Sequence, residues 1–144
     1  MPDRRQLCTF VLGDQLFGIG VENVQEVLSA QSINRLPLAN TALQGLINLR
    51  GQVVPVVDLR SCLGMAPRPS DQAPSNVVVR VRETAVSLWV DEIGDVLEVS
   101  AEAFEPTPAT LHGVGRELIA GVYKLEGRLL LVLDILKTLQ TASA

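Results

Sequence analysis

Residues 45–59 read Gly45-Leu46-Ile47-Asn48-Leu49-Arg50-Gly51-Gln52-Val53-Val54-Pro55-Val56-Val57-Asp58-Leu59, and residues 121–135 read Gly121-Val122-Tyr123-Lys124-Leu125-Glu126-Gly127-Arg128-Leu129-Leu130-Leu131-Val132-Leu133-Asp134-Ile135. Set in register, the two runs share Gly, Leu, Gly, Val and Asp, with apolar residues matched around them. A second pair lies upstream, Val21-Glu22-Asn23-Val24-Gln25-Glu26-Val27-Leu28 against Val90-Asp91-Glu92-Ile93-Gly94-Asp95-Val96-Leu97. The order of parts is the same in both halves, so the chain reads as one unit used twice. The halves span 6–65 and 77–139. Residues 66–76 (A-P-R-P-S-D-Q-A-P-S-N) join them, a connector by their Pro and Ser content. A unit that short buries too little surface to be comfortably stable alone, which predicts one domain over 6–139 with a shared apolar interface.

Local patterns say what each unit contains. Residues 46–49 and 53–57 read as strands around Arg50-Gly51-Gln52, and 122–125 and 129–133 repeat this around Glu126-Gly127-Arg128. Gly51 and Gly127 stand where a tight turn needs positive φ. Gly13-Asp14-Gln15, flanked by 7–12 and 16–19, is a hairpin signal. Val21, Val24, Val27 and Leu28 recur at helical spacing and predict a short helix. Gly94 interrupts that pattern in the second copy, so 89–99 is expected as a strand or bent strand. Asp58 and Asp134 each end a strand and are placed to cap a helical turn. The expected fold is mainly β, two five-stranded barrel-like subdomains with a few short helices, and the groove between them is where a partner would sit.

Composition narrows the function. Of the 144 residues 47% are hydrophobic but only 3% aromatic, so the core is built from Val, Leu and Ile, residues that suit pleated surfaces. The net charge of −4 argues against a nucleic-acid partner, since phosphate neutralisation needs clustered Lys and Arg. No apolar run approaches the roughly 18 residues of a membrane span, and Met1-Pro2-Asp3-Arg4-Arg5-Gln6 lacks the apolar core of a secretory signal. The expected location is cytoplasmic. Cys8 and Cys62 make no metal-type spacing and read as reduced, small core hydrophobes.

Catalysis finds little support. The single histidine, His112, lies in a loop-like segment, no serine sits in a nucleophile elbow, and no Gly-rich loop carries a phosphate-binding lysine. Asp91-Glu92 and Asp95 read as a solvated edge, because adjacent acids on a strand point to opposite faces. No enzyme activity, metal or cofactor is expected. Arg50 is the sharper case. The turn keeps its Gly and Leu in both copies while Arg50 becomes Glu126, so the turn itself does not require arginine. A guanidinium there suits a carboxylate or a protein surface, and Glu26 is a candidate mate within the chain or on a partner. The alternatives are an ordinary exposed turn residue and a solvated helix face.

Taken together, Gly45-x-x-Asn48-Leu49-Arg50-Gly51 followed by Val54-Pro55-Val56-Val57-Asp58-Leu59-Arg60 resembles the signature of CheW-like domains. Val24-Gln25-Glu26-Val27-Leu28 is similar to that family's V-x-E-[IV] helix, Arg35-Leu36-Pro37 to the strand entering the signature, and 90–96 to its second-half strand. The resemblance covers about residues 6–139. It implies two intertwined SH3-like five-stranded barrels and a non-enzymatic cytoplasmic adaptor, monomeric when free. That adaptor would bridge chemoreceptor tips to the regulatory domain of a CheA-type histidine kinase in membrane-associated arrays, without inserting into the membrane. It further implies a receptor and kinase interface at Val24, Glu26, Gly45, Arg50, Gly51 and Val53, and a receptor groove along Trp89, Asp91 and Ile93. The chain departs from the family's pattern in having little of the C-terminal helix beyond Leu139. The second reading, from another class, is an SH3-like double-barrel scaffold for an unrelated peptide.

Overall fold

The computed structural model describes residues 3–35, 42–111 and 113–143, so His112 and the Leu36-Pro37 part of the signature lie outside the described residues. The β-branched and leucine-rich runs form strands β1 (Arg4–Leu12), β2 (Gln15–Gly20), β3 (Val24–Leu28), β4 (Asn34–Arg35), β5 (Leu43–Leu49) and β6 (Gln52–Asp58). After helix α1 (Leu59–Cys62) come β7 (Ser75–Val81), β8 (Thr84–Val90), β9 (Glu92–Ser100), β10 (Ile119–Leu125), β11 (Arg128–Leu133) and helix α2 (Ile135–Ser143). Both expected caps are in place: Asp58 accepts from the Arg60 N–H at 3.1 Å and Asp134 from the Lys137 N–H at 3.1 Å.

The strands form a five-stranded sheet, β10-β11-β2-β1-β9, and a six-stranded sheet, β3-β7-β8-β6-β5-β4. Each sheet draws on both halves of the sequence. Hairpin β1–β2 is completed by β9, β10 and β11, and hairpin β7–β8 by β3, β5 and β6. The plan is the same twice over. β11 runs parallel to β2 (Leu130↔Leu16) as β6 runs parallel to β8 (Val56↔Ser87), and β9 flanks β1 as β3 flanks β7, each pairing broken by a bulge. The limits 6–65 and 77–139 are therefore proposed as those of the repeat, because its two copies exchange strands.

Period-two alternation sends side chains to different cores. From β1, Leu7 joins Leu16, Tyr123, Leu130 and Val132, whereas Phe10 and Leu12 enter a larger cluster with Phe17, Ile19, Leu59, Val77, Leu88 and Leu131. A third cluster holds Ile47, Val54, Val56, Val78 and Trp89. The large cluster draws on strands of both sheets and is the shared interface that the short repeat requires. Cys62 belongs to it, and burial pushes its thiol up to about 11; Cys8 is half-buried, and both cysteines are free.

Two local expectations are corrected. Val24–Leu28 is a strand, preceded by one 3-10 turn at Val21–Asn23. After the bulge between Val24 and Glu26, Glu26 and Leu28 face inward while Val27 is 44% exposed. A carboxylate at an inward position and a valine at an outward one imitate helical spacing. Residues 89–99 are not one bent strand: Asp91 stands between β8 and β9, where the chain passes from the six-stranded sheet to the five-stranded one.

Candidate functional site

The β5–β6 turn has Leu49 opposite Gln52, with Arg50 at φ 51° and Gly51 at φ 85°. Positive φ at both central residues matches a type I′ turn, which costs Gly51 nothing and places Arg50 in the left-handed region that non-glycine residues avoid. The Asn48 side chain braces it, Oδ1 accepting from the Gly51 N–H at 2.9 Å. In the second copy Gly127 has φ 79° but Glu126 is not left-handed, so the two turns differ in backbone as well as side chain.

Arg50 reaches from this turn to Glu26 on β3, which lies at the edge of the same sheet, beyond β6, β8 and β7. The sheet must curl for the two to meet. Nη1 donates to Oε2 at 2.5 Å and Nη2 to Oε1 at 2.7 Å, a two-pronged pair. Glu26 is largely covered, with 17% of its side chain exposed, whereas Arg50 remains 74% exposed. The hydrogen bonds from Arg50 hold the Glu26 carboxyl below its usual range, against a weaker opposing effect of burial. The pair presents a fixed cation to the surroundings. Beside it on β6, Val53 is 60% exposed.

The remaining sequence-selected residues fall into other settings. Val24 is half-buried against the large core. At Gly45 an added Cβ would lie 2.2 Å from the Asn34 carbonyl oxygen of β4, and at its repeat partner Gly121 2.6 Å from the Glu105 carbonyl oxygen. Both glycines let a neighbouring backbone approach, so Gly45 serves architecture first. Gly45→Ala should cost about 1–3 kcal/mol by overpacking, read from urea unfolding, where Gly51→Ala meets no neighbour and acts only through turn strain. Ile93 lines a shallow groove of about 390 Å³ with Val27, Leu28, Ser29, Ser75 and Glu92. Val27 and Val96, equivalent positions on the edge strands β3 and β9, are 44% and 57% exposed.

Trp89 and Asp91 are buried. Trp89 is packed among Ile47, Val54 and Val78, with the Arg35 guanidinium 5.6 Å from its ring centre. Asp91 corrects the solvated-edge reading, which holds for the exposed Glu92 and Asp95 but fails here. Only 5% of its side chain is exposed. It accepts from Arg60 Nε at 3.0 Å and Nη2 at 2.5 Å, from Arg68 Nε at 2.8 Å, and from the Gly13 N–H at 2.8 Å. Burial pushes its carboxyl up, but the bonds from Arg60, Gly13 and Arg68 outweigh this and hold it at about 2. Asp58 lies 3.7 Å from Arg68 Nη2, which has no hydrogen-bond partner. Arg60 and Arg68 were missed as site residues because Arg60 reads as the exposed end of the signature and an arginine in a Pro-rich stretch such as Arg68 reads as solvated; no spacing signal links 60, 68 and 91.

The molecule is thus a two-sheet, mostly β scaffold with a fixed ion pair and exposed valines on its strand edges. Comparison with known proteins agrees. A family model described as CheW-like domain matches residues 6–143, and the chain belongs to this family. It is 33% identical to the chemotaxis protein CheW of Rhizobium meliloti, covering 91% of this chain and 84% of that one. It is 30% identical to the chemotaxis protein CheW of Treponema pallidum, covering 92% and 80%. The crystal structure of the scaffolding protein TtCheW from Thermoanaerobacter tengcongensis superposes with a TM-score of 0.81 at 26% identity, covering 92% of this chain and 89% of that one. The chain is accordingly a non-enzymatic chemotaxis coupling scaffold. Among the described residues no helix is long and apolar enough to cross a membrane.

Proposed function

We propose that this protein couples the cytoplasmic tip of a chemoreceptor to the regulatory domain of a CheA-type histidine kinase, acting in the cytoplasm as a monomer until receptor arrays recruit it. The observation that carries the proposal is the Arg50–Glu26 pair. A left-handed arginine, absent from the second copy, is locked by a largely covered carboxylate while its own side chain stays 74% exposed. The pair supplies charge specificity, and Val53 beside it supplies the apolar contact from which interfaces draw affinity. Val24 on β3, Gly45 on β5 and Gly51 in the turn are assigned to the same interface. The receptor's helical hairpin is assigned to the groove of Val27 and Ile93, along the stretch that also holds the buried Trp89 and Asp91.

Arg50→Glu would set two carboxylates against each other at the rim. Expected is a loss of at least about tenfold in ternary complex recovered by pull-down with receptor and kinase, at unchanged circular dichroism and with the thermal midpoint lowered only modestly by the like-charge contact at Glu26. Full recovery by a folded Arg50→Glu protein would count against the proposed interface. Restoring the pair in reverse, Glu26→Arg with Arg50→Glu, separates the roles. Assembly should stay lost if the partner reads the arginine at the turn and return if only the internal pair matters.

A further inference from the structure

Two arginines of this chain stand in the left-handed region, and both close hairpins of the six-stranded sheet. Among the described residues Arg50 (φ 51°) and Arg82 (φ 58°) are the non-glycine residues with positive φ. Arg82 opens the two-residue turn between Val81 and Thr84 that joins β7 to β8. Its counterpart in the repeat, the β1–β2 turn, carries Gly13 at the same φ of 58°. The backbone there suits glycine, yet the chain places an exposed arginine in it. Strain of this kind persists where the surroundings hold it, and it gathers at functional sites.

Side-chain contacts join the two turns. Arg50 holds Glu26 on β3. Gln25, its neighbour in the chain, lends Glu26 a weaker hydrogen bond than Arg50 does, and the Gln25 Oε1 accepts from Arg80 Nε at 3.1 Å. Arg80 Nη1 in turn donates to the Glu83 carbonyl oxygen of the β7–β8 turn at 3.5 Å. Three exposed arginines thus lie along one rim, with the 60% exposed Val53 next to the Arg50 turn. Among the described residues neither Arg80 nor Arg82 pairs with a carboxylate.

The repeat shows that the fold does not need this charge. Arg50, Arg80 and Arg82 correspond to Glu126, Val11 and Gly13, and Glu26 and Glu83 to Asp95 and Asp14. With Gln52 and its counterpart Arg128 included, the rim carries three arginines against two glutamates, net +1. The equivalent end of the other sheet carries three acids against one arginine, net −2, in a chain of net charge −4. A cationic rim on an acidic protein selects for carboxylates, and three arginines fall short of the clustered cations that a phosphate backbone requires.

We propose that the two arginine turns and Arg80 form one surface that receives an acidic segment of a partner protein, its carboxylates meeting Arg50, Arg80 and Arg82 and an apolar neighbour meeting Val53. The surface widens the interface around Arg50 and rests on that turn being an interface, though not on which proteins meet there.

The probe is a synthetic octapeptide with blocked ends, E-S-E-V-E-S-E-S, titrated into the isotopically labelled full chain and followed by amide chemical shifts. Expected are saturable shifts at Arg50, Gly51, Arg82 and Glu83 with a dissociation constant of order 1 mM. The uncharged control Q-S-Q-V-Q-S-Q-S should bind at least about tenfold more weakly, with the protein untouched. Arg82→Gly and Arg80→Gln should each weaken the acidic peptide about threefold, the scale of one exposed ion pair. Arg82→Gly should do so with its urea midpoint unchanged or raised, because glycine adopts that φ freely, an outcome that a merely structural arginine would not give. Equal binding of both peptides, shifts spread over Arg4, Arg5 and Lys137, or none at several times 1 mM would overturn the proposal. Shifts at the same amides on raising protein concentration alone would assign the rim to a second copy and overturn it as well. If Arg82→Gly and Arg80→Gln bind the acidic peptide as the wild type does while Arg50→Glu loses it, the wider surface is wrong and the Arg50 interface stands. If both weaken the peptide while folded Arg50→Glu recovers full ternary complex, the surface stands and the receptor and kinase reading fails.

Discussion

Replacing Asp91 by alanine is expected to destabilise the protein by about 3–5 kcal/mol, read as a lower urea midpoint at unchanged slope. The loss exceeds that of a surface pair because the partners stay behind. Arg60 and Arg68, 11% and 6% exposed at their side chains, would be left as covered cations facing only Asp58, and the Gly13 N–H would lose its acceptor. Three separate pieces of chain meet on that carboxylate: the β1–β2 turn, α1 and the connector. Asp91→Asn should recover part of the loss, since an amide oxygen still accepts hydrogen bonds but brings no charge.

The same carboxylate sets a pH dependence whose sign is fixed. Its folded value of about 2 lies below the ordinary 3.8, so the folded state binds its proton more weakly than the unfolded chain does. The resulting stabilisation, about 2–3 kcal/mol, is fully present above pH ~4 and lost as pH falls towards 2. Asp58 works the other way. Burial pushes its carboxyl up against the pull of Arg68 and Arg60, so its protonation on acidification favours the folded state. Urea midpoints measured from pH 5 to pH 2 should fall in the wild type and fall less in Asp91→Asn; parallel slopes would show that Asp91 is not the titrating group.

Phe10→Ala is expected to cost about 3–5 kcal/mol, through lost transfer free energy and the cavity left in a dense core. Phe10 is fully buried and stacks on Phe17 with ring centres 5.7 Å apart. Its β1 belongs to the five-stranded sheet, yet its cluster includes Val77, Val79 and Leu88 of the six-stranded one. The variant should therefore lower a single transition. Trp89 fluorescence, reporting the six-stranded sheet, and far-ultraviolet circular dichroism should move together. Separate midpoints would mean that the sheets unfold independently despite the strand exchange between halves.

Most of the architecture was legible in the residues. The repeated Gly-x-x-x-Leu-x-Gly runs located both hairpins β5–β6 and β10–β11, and Asp58 and Asp134 marked the helix caps. Those signals are local, because turn geometry and capping depend on residues within a few positions of each other. Val24–Leu28 was misread because its pattern is governed by distant residues: pairing with β7, with a bulge between Val24 and Glu26, sets which side chains face inward, and Arg50 meets Glu26 there. Arg50 itself stood out, since the second copy does without it.

By itself the sequence determined that the chain is a β-rich duplication of the CheW-like kind, with Arg50 as the residue that breaks the repeat. Tertiary structure decided that the copies trade strands, that Arg50 and Glu26 pair with each other, and that Asp91 is a buried hub joined to Arg60 and Arg68. The physical reason is range. Periodicity and turn chemistry are written in neighbouring residues, whereas burial of a charge depends on which distant side chains arrive to meet it, and a carboxylate reads alike in both settings until they do.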